Sequence, residues 1–189
     1  MLCLIALTTG TLFAQKGYEK SIELGVAMGV GDYTNNTFGA AMINGYRFND
    51  HFFTGVGVGF GYSNVLNGLS INGNEVKEYR TDAYLIPVFA HFRANLTSGK
   101  TSPFLRLDVG YTFDVNQYLK DMPGLLIEPS VGIECKMHDK KAFYALAGFN
   151  LQHSKYSYTK NLGSTENDFE VTNKSEMLKA ISLKVGFLF

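Results

Sequence analysis

The stretch FFTGVGVGFGY (residues 52–62) decides the fold, because glycine occupies every second position from Gly55 to Gly61. Mainly valine and phenylalanine stand between these glycines. Strict alternation of two residue classes is typical of a β-strand with two different faces. A nucleotide-binding fingerprint would instead need glycines spaced G-x-G-x-x-G between a strand and a helix. Its third glycine would fall on Phe60, and no helical pattern follows, so the stretch is not a phosphate-binding loop.

The same alternation recurs along the chain and predicts eight strands of about ten to thirteen residues. One face of each strand is mainly apolar, and the other carries glycine, alanine or charge. Besides the first stretch, the segments are SIELGVAMGVG (21–31), FGAAMINGYRF (38–48), YLIPVFAHFR (84–93), FLRLDVGYTF (104–113), LLIEPSVGIECK (125–136), AFYALAGFNLQ (142–152) and ISLKVGFLF (181–189).

Alternating faces fit either a soluble barrel or sandwich with an apolar interior, or a transmembrane barrel with an apolar exterior. Three features favour the transmembrane barrel. The strands are long enough to cross a bilayer at a tilt, which takes about 9–11 residues. Glycine weakens a solvent-exposed strand but suits the crowded lumen of a narrow barrel. We expect the glycines of 52–62 to make room there for larger inward side chains such as Arg93 and Arg106.

The third feature is the connections, which alternate in length. Those at 49–51 and 137–140 are tight, and 95–102 is somewhat longer. The alternate set at 64–78, 116–123 and 158–176 is long and polar, although 32–36 is short. Short turns at one end and long loops at the other are typical of bacterial outer membrane barrels. We therefore predict an all-β fold, an eight-stranded antiparallel up-and-down transmembrane β-barrel.

Aromatic residues are predicted to form two bands at the two membrane interfaces, the girdles of such barrels. The band at the short-turn end comprises Tyr46, Phe48, Phe52, Phe92, Phe187 and Phe189, and the band at the long-loop end comprises Phe38, Tyr62, Tyr84, Tyr111 and Phe113.

Composition bounds the function and the domain organisation. The 189 residues include 17 basic and 17 acidic side chains, so no basic excess for nucleic acid is present. The apolar start, MLCLIALTTGTLFAQ, predicts a signal peptide over residues 1–14, with the barrel domain at 15–189. A short buried strand is the alternative for residues 1–14. Cys3 would leave with the signal peptide, and Cys135 would remain alone without a disulfide partner.

Three motifs carry a family resemblance: YLIPVFAHFR, GLLIEPSVGIECK and the terminal ISLKVGFLF. They resemble the small outer membrane β-barrel domains of Bacteroidetes-type bacteria, similar in architecture to OmpA/OmpX-like, porin-family barrels. The resemblance implies a location in the bacterial outer membrane as a monomer. It implies contact with outer membrane lipids, lipopolysaccharide, periplasmic chaperones and the assembly machinery. The implied C-terminal assembly signal comprises Leu183, Val185, Phe187 and Phe189.

The polar faces place a set of charged side chains in the predicted lumen. An eight-stranded barrel is just wide enough for side chains to fill it, and unpaired charge there would be costly. We expect a charge-paired plug that closes the lumen; a narrow conduit for small or hydrophobic solutes is the alternative. The predicted cluster comprises Glu23, Arg47, His91, Arg93, Arg106, Asp108, Glu128, Glu134, Lys136 and Lys184.

Catalysis is not expected. The best local candidates, His153 and Ser154, are adjacent, so in a strand they point to opposite faces and cannot form a nucleophile–base pair. No H-E-x-x-H or paired Cys/His spacing suggests a metal site, and no cofactor motif is present. The long polar loops suit a structural or surface-interaction role, with an extracellular ligand of unknown identity.

Overall fold

The computed structural model describes residues 17–30, 36–72, 75–115, 124–137, 141–161 and 169–189. The predicted signal peptide, the connection at 116–123 and most of those at 32–36 and 137–140 lie outside these residues. None of the described segments is a helix long and apolar enough to cross a membrane. The eight strands are β1 (Gly17–Gly29), β2 (Asn36–Arg47), β3 (Phe52–Asn72), β4 (Glu75–Asn95), β5 (Thr101–Asp114), β6 (Gly124–Lys136), β7 (Ala142–Asn161) and β8 (Phe169–Leu188).

The strands form one closed antiparallel barrel in sequence order, which confirms the predicted fold class. The barrel closes where β1 pairs with β8, with Leu24 opposite Val185. Just beyond β8, the Phe189 N–H donates to the Lys20 carbonyl at 2.8 Å, and the Lys20 N–H donates to the Phe189 carbonyl at 3.0 Å. The chain's last residue therefore takes part in barrel closure.

The strands at one end are longer than the sequence predicted. β3 and β4 have 21 residues each, and β7 and β8 have 20. Most of the polar segments predicted as loops at 64–78 and 158–176 are continuations of the ladder, which runs to Asn72 opposite Glu75 and to Asn161 opposite Phe169. The prediction was wrong because it followed side-chain polarity, whereas the ladder is made by backbone groups that any non-proline residue supplies.

The outer surface is apolar, the reverse of a water-soluble barrel. Large apolar side chains on the outer face of every strand are exposed, as expected of a surface in contact with lipid. Examples are Leu24, Met42, Val56, Val58, Val88, Leu105, Val131, Phe143 and Val185.

Aromatic rings meet in both predicted bands. At the short-turn end, where 48–51 and 96–100 connect strands, the rings of Tyr46 and Phe48 are 5.3 Å apart between centroids. Phe187 likewise lies 4.8 Å from Phe143. At the opposite end, which we call the long-hairpin end, Tyr62 and Tyr84 are 5.8 Å apart. The two bands mark the two interfaces of the membrane-spanning section.

The glycines of β3 face the lumen, but they make room for different residues than expected. A Cβ on Gly57 would collide with the ring of Phe89, and one on Gly59 would lie 3.0 Å from Pro87 Cγ. Larger inward side chains do lie beside Gly57 and Gly59, as expected, but they are Phe89 and Pro87 and not Arg93 or Arg106. The sequence does not reveal the true neighbours, because the register between β3 and β4 decides which inward side chain packs over each glycine.

Candidate functional site

The centre of the lumen holds an ion-pair network built around Arg106. Its Nη1 donates to Glu23 Oε1 at 2.5 Å and its Nη2 to Glu23 Oε2 at 3.0 Å. Nε also donates to Asp108 Oδ2 at 2.9 Å. The Tyr144 hydroxyl donates to Glu23 Oε1 at 2.6 Å, and His91 Nδ1 donates to Asp108 Oδ1 at 2.8 Å. Arg106 thus binds two carboxylates, each of which accepts a further hydrogen bond from another strand. We call these five residues the central network.

Strand geometry brings these groups together. Arg106 and Asp108 are two residues apart on β5, so both side chains point inward. The pairing of β4 with β5 sets His91 directly opposite Asp108 and Arg93 opposite Arg106. Glu23 reaches Arg106 from β1, across the barrel in the strand order. The side chain of Arg106 is completely buried.

A second network, the lower network, lies toward the short-turn end. Arg47 Nε donates to Glu19 Oε1 at 2.7 Å, and Arg47 Nη2 lies 3.5 Å from Glu134 Oε2. Arg93 Nη1 lies 3.2 Å from the same Glu134 oxygen. Asn95 Nδ2 donates to Glu134 Oε1 at 3.2 Å. Two arginines therefore share one carboxylate.

Arg93 is held mainly by aromatic rings. Its guanidinium carbon lies 5.0 Å from the ring centroid of Phe53, 5.5 Å from Phe104 and 5.4 Å from Tyr144. A guanidinium within about 6 Å of a ring face gains cation–π attraction, and more so away from water. These rings, which sequence reasoning did not assign to the lumen, fill it around the charges.

A third group surrounds Glu128 on the side of the central network that faces the long-hairpin end. Lys184 Nζ lies 2.6 Å from Glu128 Oε1, and the Ser182 hydroxyl donates to that oxygen at 3.0 Å. Asn150 Nδ2 donates to Glu128 Oε2 at 3.0 Å. The carboxylate is therefore hydrogen-bonded from β7 and β8 together.

Eight of the ten residues predicted for the lumenal cluster are buried, and Lys184 is partly exposed. Lys136 lies at the short-turn end instead, where its Nζ donates to the Ser98 carbonyl at 3.3 Å. Sequence reasoning missed Glu19, which is buried and bonded to Arg47. Glu19 has the same parity as Glu23, so extending the alternation upstream of residue 21 would have found it.

The two networks differ in how completely their polar atoms are bonded. In the lower network, buried atoms of Glu19, Arg47, Arg93, Asn95 and Glu134 have no hydrogen-bond partner in the protein. In the central network, no buried side-chain atom lacks a hydrogen-bond partner. Buried polar groups of this kind are normally satisfied by internal water. We expect the lower network to be completed by internal water, which the buried atoms of the central network do not need.

The catalytic candidates gain no support from the described geometry. His153 is half-buried on β7, whereas the side chain of Ser154 lies outside the described set. His51 Nδ1 contacts the Asn95 carbonyl at 2.8 Å in a tight turn. Among the residues that the structure describes, no group of three or more His, Cys, Asp or Glu side chains could hold a metal ion.

The fold resembles solved outer membrane barrels. Neisserial surface protein A (NspA) superposes with a TM-score of 0.56 at 13% identity, over 90% of this chain and 95% of that chain. The N-terminal β-barrel domain of Pseudomonas aeruginosa OprF gives 0.46 at 13% identity, over 93% of this chain and 100% of that one. The outer membrane enzyme PagL gives 0.43 at 10% identity, over 88% and 97%. No family model and no curated protein sequence matches the chain. At these identities the likeness to NspA shows the fold alone.

Proposed function

We propose that this protein is an integral barrel of the bacterial outer membrane that acts as a structural or surface-interaction protein. Its lumen is closed by paired charges, and its two long hairpins present the interacting surface. The observation that carries the proposal is the central network, in which Arg106 joins Glu23 and Asp108 across the lumen.

Closure follows from the energetics of the network. Each of its two carboxylates accepts at least two hydrogen bonds, and Arg106 donates to both. Opening a path would separate these charges inside a narrow barrel, and breaking a buried pair costs about 3–5 kcal/mol. A narrow conduit for solutes is the alternative, and it would need that separation.

The long hairpins support the interaction role. Beyond the Tyr62–Tyr84 pair, the β3–β4 ladder continues from Ser63 opposite Ala83 to Asn72 opposite Glu75. At about 3.3 Å per residue, this section extends roughly 30 Å from the aromatic band. The ladder of β7 and β8 likewise continues to Asn161. A paired backbone gives a binding surface that is ordered before a partner arrives, which lowers the entropy cost of binding.

The closed lumen is tested by conductance of the refolded protein in planar bilayers. We expect no stable channels, and a rise in conductance for Arg106→Ala. Lys136→Ala, which lies outside the networks, serves as the matched control. Stable wild-type channels that change in size with Arg106→Ala or Glu128→Ala would show that the conduit is the correct function.

The hairpin role is tested by a variant in which residues 64–82 are replaced by an Asn-Gly turn, which suits a two-residue hairpin. Cells that display the wild type should adhere to immobilised matrix proteins, and the shortened variant should not. Gly99→Ala, at the opposite end, is the control, since the nearest atom to the added Cβ is 3.7 Å away. Equal adhesion by the wild type, the shortened variant and cells without the protein would exclude this role.

A further inference from the structure

The lumen contains a cavity of about 110 Å³ between the central network and the long-hairpin end. It is lined by the apolar side chains of Leu85, Phe89 and Leu126 and by small residues such as Gly39 on β2 and Gly61 on β3. Small residues leave space that large residues would fill. An engineered apolar cavity of about 150 Å³ in another protein binds benzene, so this one has room for a ligand somewhat smaller than a benzene ring.

The negative side chains at the cavity outnumber the positive ones. Among the side chains that the structure describes, three carboxylates line it, those of Glu23, Asp108 and Glu128, together with one cation, Lys184. Arg106 adds a second permanent positive charge behind Glu23 and Asp108, but its side chain is completely buried. His91 can donate its Nδ1–H to Asp108 as a neutral ring. Three negative charges therefore face two positive ones.

Both cations are already engaged. Lys184 Nζ lies 2.6 Å from Glu128, and Arg106 is directed at Glu23 and Asp108. An anion entering the cavity would have to displace a carboxylate from one of them. The carboxylates, in contrast, retain lone pairs, since each carboxylate offers about four acceptor sites. A further N–H donor can therefore be added without breaking an existing pair.

From this geometry we infer that the cavity is a binding site for a small amphipathic organic cation, such as a short alkylammonium ion. The alkyl group packs against Leu85, Phe89 and Leu126, and the ammonium group faces the carboxylates. Because the central network closes the lumen behind it, the ligand is held and not conducted. This site does not depend on what the hairpins bind.

The test uses the full chain with ¹³C-labelled leucine methyl groups, refolded in detergent micelles and titrated with n-propylammonium. We expect saturable shifts of the Leu85 and Leu126 methyl signals, which line the cavity. Leu105 and Leu183, on the lipid face, should not shift. Propionate, close in size and of opposite charge, should cause no saturable shift. Equal shifts with propionate, or shifts only at Leu105 and Leu183, would overturn the inference.

Gly61→Leu tests the position of the site. A Cβ at Gly61 meets nothing closer than Thr37 Cγ2 at 3.4 Å, so the added side chain can occupy the cavity. Binding of n-propylammonium should weaken at least roughly tenfold, whereas Val58→Leu on the outer face should leave it unchanged. A folded Gly61→Leu variant that binds n-propylammonium as the wild type does would exclude the cavity as the site.

Two charge variants keep the inference testable if Gly61→Leu does not fold. Glu128→Gln removes a negative charge and should weaken binding roughly tenfold, whereas Lys184→Met removes a positive charge and should strengthen it by a similar factor. If the two residues only supported the structure, both variants would weaken binding. That outcome, or no change in either variant, would contradict a charge-selective site.

Discussion

Arg106 and Glu23 face each other across the lumen in a two-point ion pair, with Nη1–Oε1 and Nη2–Oε2 distances of 2.5 and 3.0 Å. They lie on β5 and β1, which are not neighbours in the barrel. A bidentate guanidinium–carboxylate pair fixes orientation as well as distance. The pair therefore links two strands across the lumen, in addition to the backbone hydrogen bonds that link neighbouring strands around the barrel.

Arg106→Met should destabilise the protein by about 3–5 kcal/mol, because it leaves Glu23 and Asp108 buried without their cation. The free energy of unfolding in urea, measured in liposomes, checks this. Leu105→Met, one position away on the lipid face, is the control and should change stability by less than about 1.5 kcal/mol. The double variant Glu23→Gln/Arg106→Met should recover part of the loss, and no recovery would contradict the pairing.

Gly57→Ala should destabilise the barrel by about 1–3 kcal/mol, since the added methyl group collides with the ring of Phe89 and overpacks the lumen. Gly61→Ala is the matched control on the same face of β3, because its Cβ meets only ordinary contacts. Adding Phe89→Leu to Gly57→Ala should relieve the collision. Equal unfolding free energies for the two glycine variants would show that the space beside Gly57 can adjust.

The sequence predicted the barrel because two-residue periodicity assigns every strand a lipid face and a lumenal face. The same parity places Arg106 and Glu23 inward, but it cannot pair them. Partners across the lumen depend on how far each strand is shifted along the barrel axis, and that shift is a property of the whole closed sheet. Charge balance alone suggested that pairing was possible, without indicating which residues pair.

Inward aromatic residues were also missed. Phe53 has the same parity as Gly55, and Phe104 the same as Arg106, so extending the alternation would have placed both in the lumen. That they surround Arg93 depends on the register, which the sequence does not reveal. The extended hairpins were missed for a different reason, since a polar stretch is compatible with either a loop or a backbone ladder.

Val58→Lys should cost about 2–4 kcal/mol, because it places a charge on the lipid face near the membrane midplane. Val58 is 49% exposed to the surroundings of the barrel and lies between the aromatic bands that contain Phe52 and Tyr62. Tyr46→Lys, within the short-turn band, should cost about 1 kcal/mol or less. Unfolding in liposomes measures both. Equal costs at the two depths would contradict the assigned membrane position.

Deletion of Phe189 should reduce assembly in the outer membrane. The deletion removes two backbone hydrogen bonds with Lys20 where β1 meets β8, which we call the seam. It also removes the last member of the predicted assembly signal. The Phe189 ring also stacks on Phe187 at 6.0 Å. The amount of folded protein in membranes, read from its heat-modifiable mobility on gels, is the measurement.

Two substitutions distinguish the effect of the lost hydrogen bonds at the seam from the effect of a lost assembly signal. Phe189→Ala keeps the backbone hydrogen bonds but removes the ring, whereas Phe189→Tyr keeps both. If the signal depends on the ring, Phe189→Ala should assemble as poorly in cells as the deletion, yet refold in micelles nearly as well as the wild type. Normal accumulation of the deletion variant in cells would exclude Phe189 from the assembly signal, because neither seam nor ring would then limit its insertion.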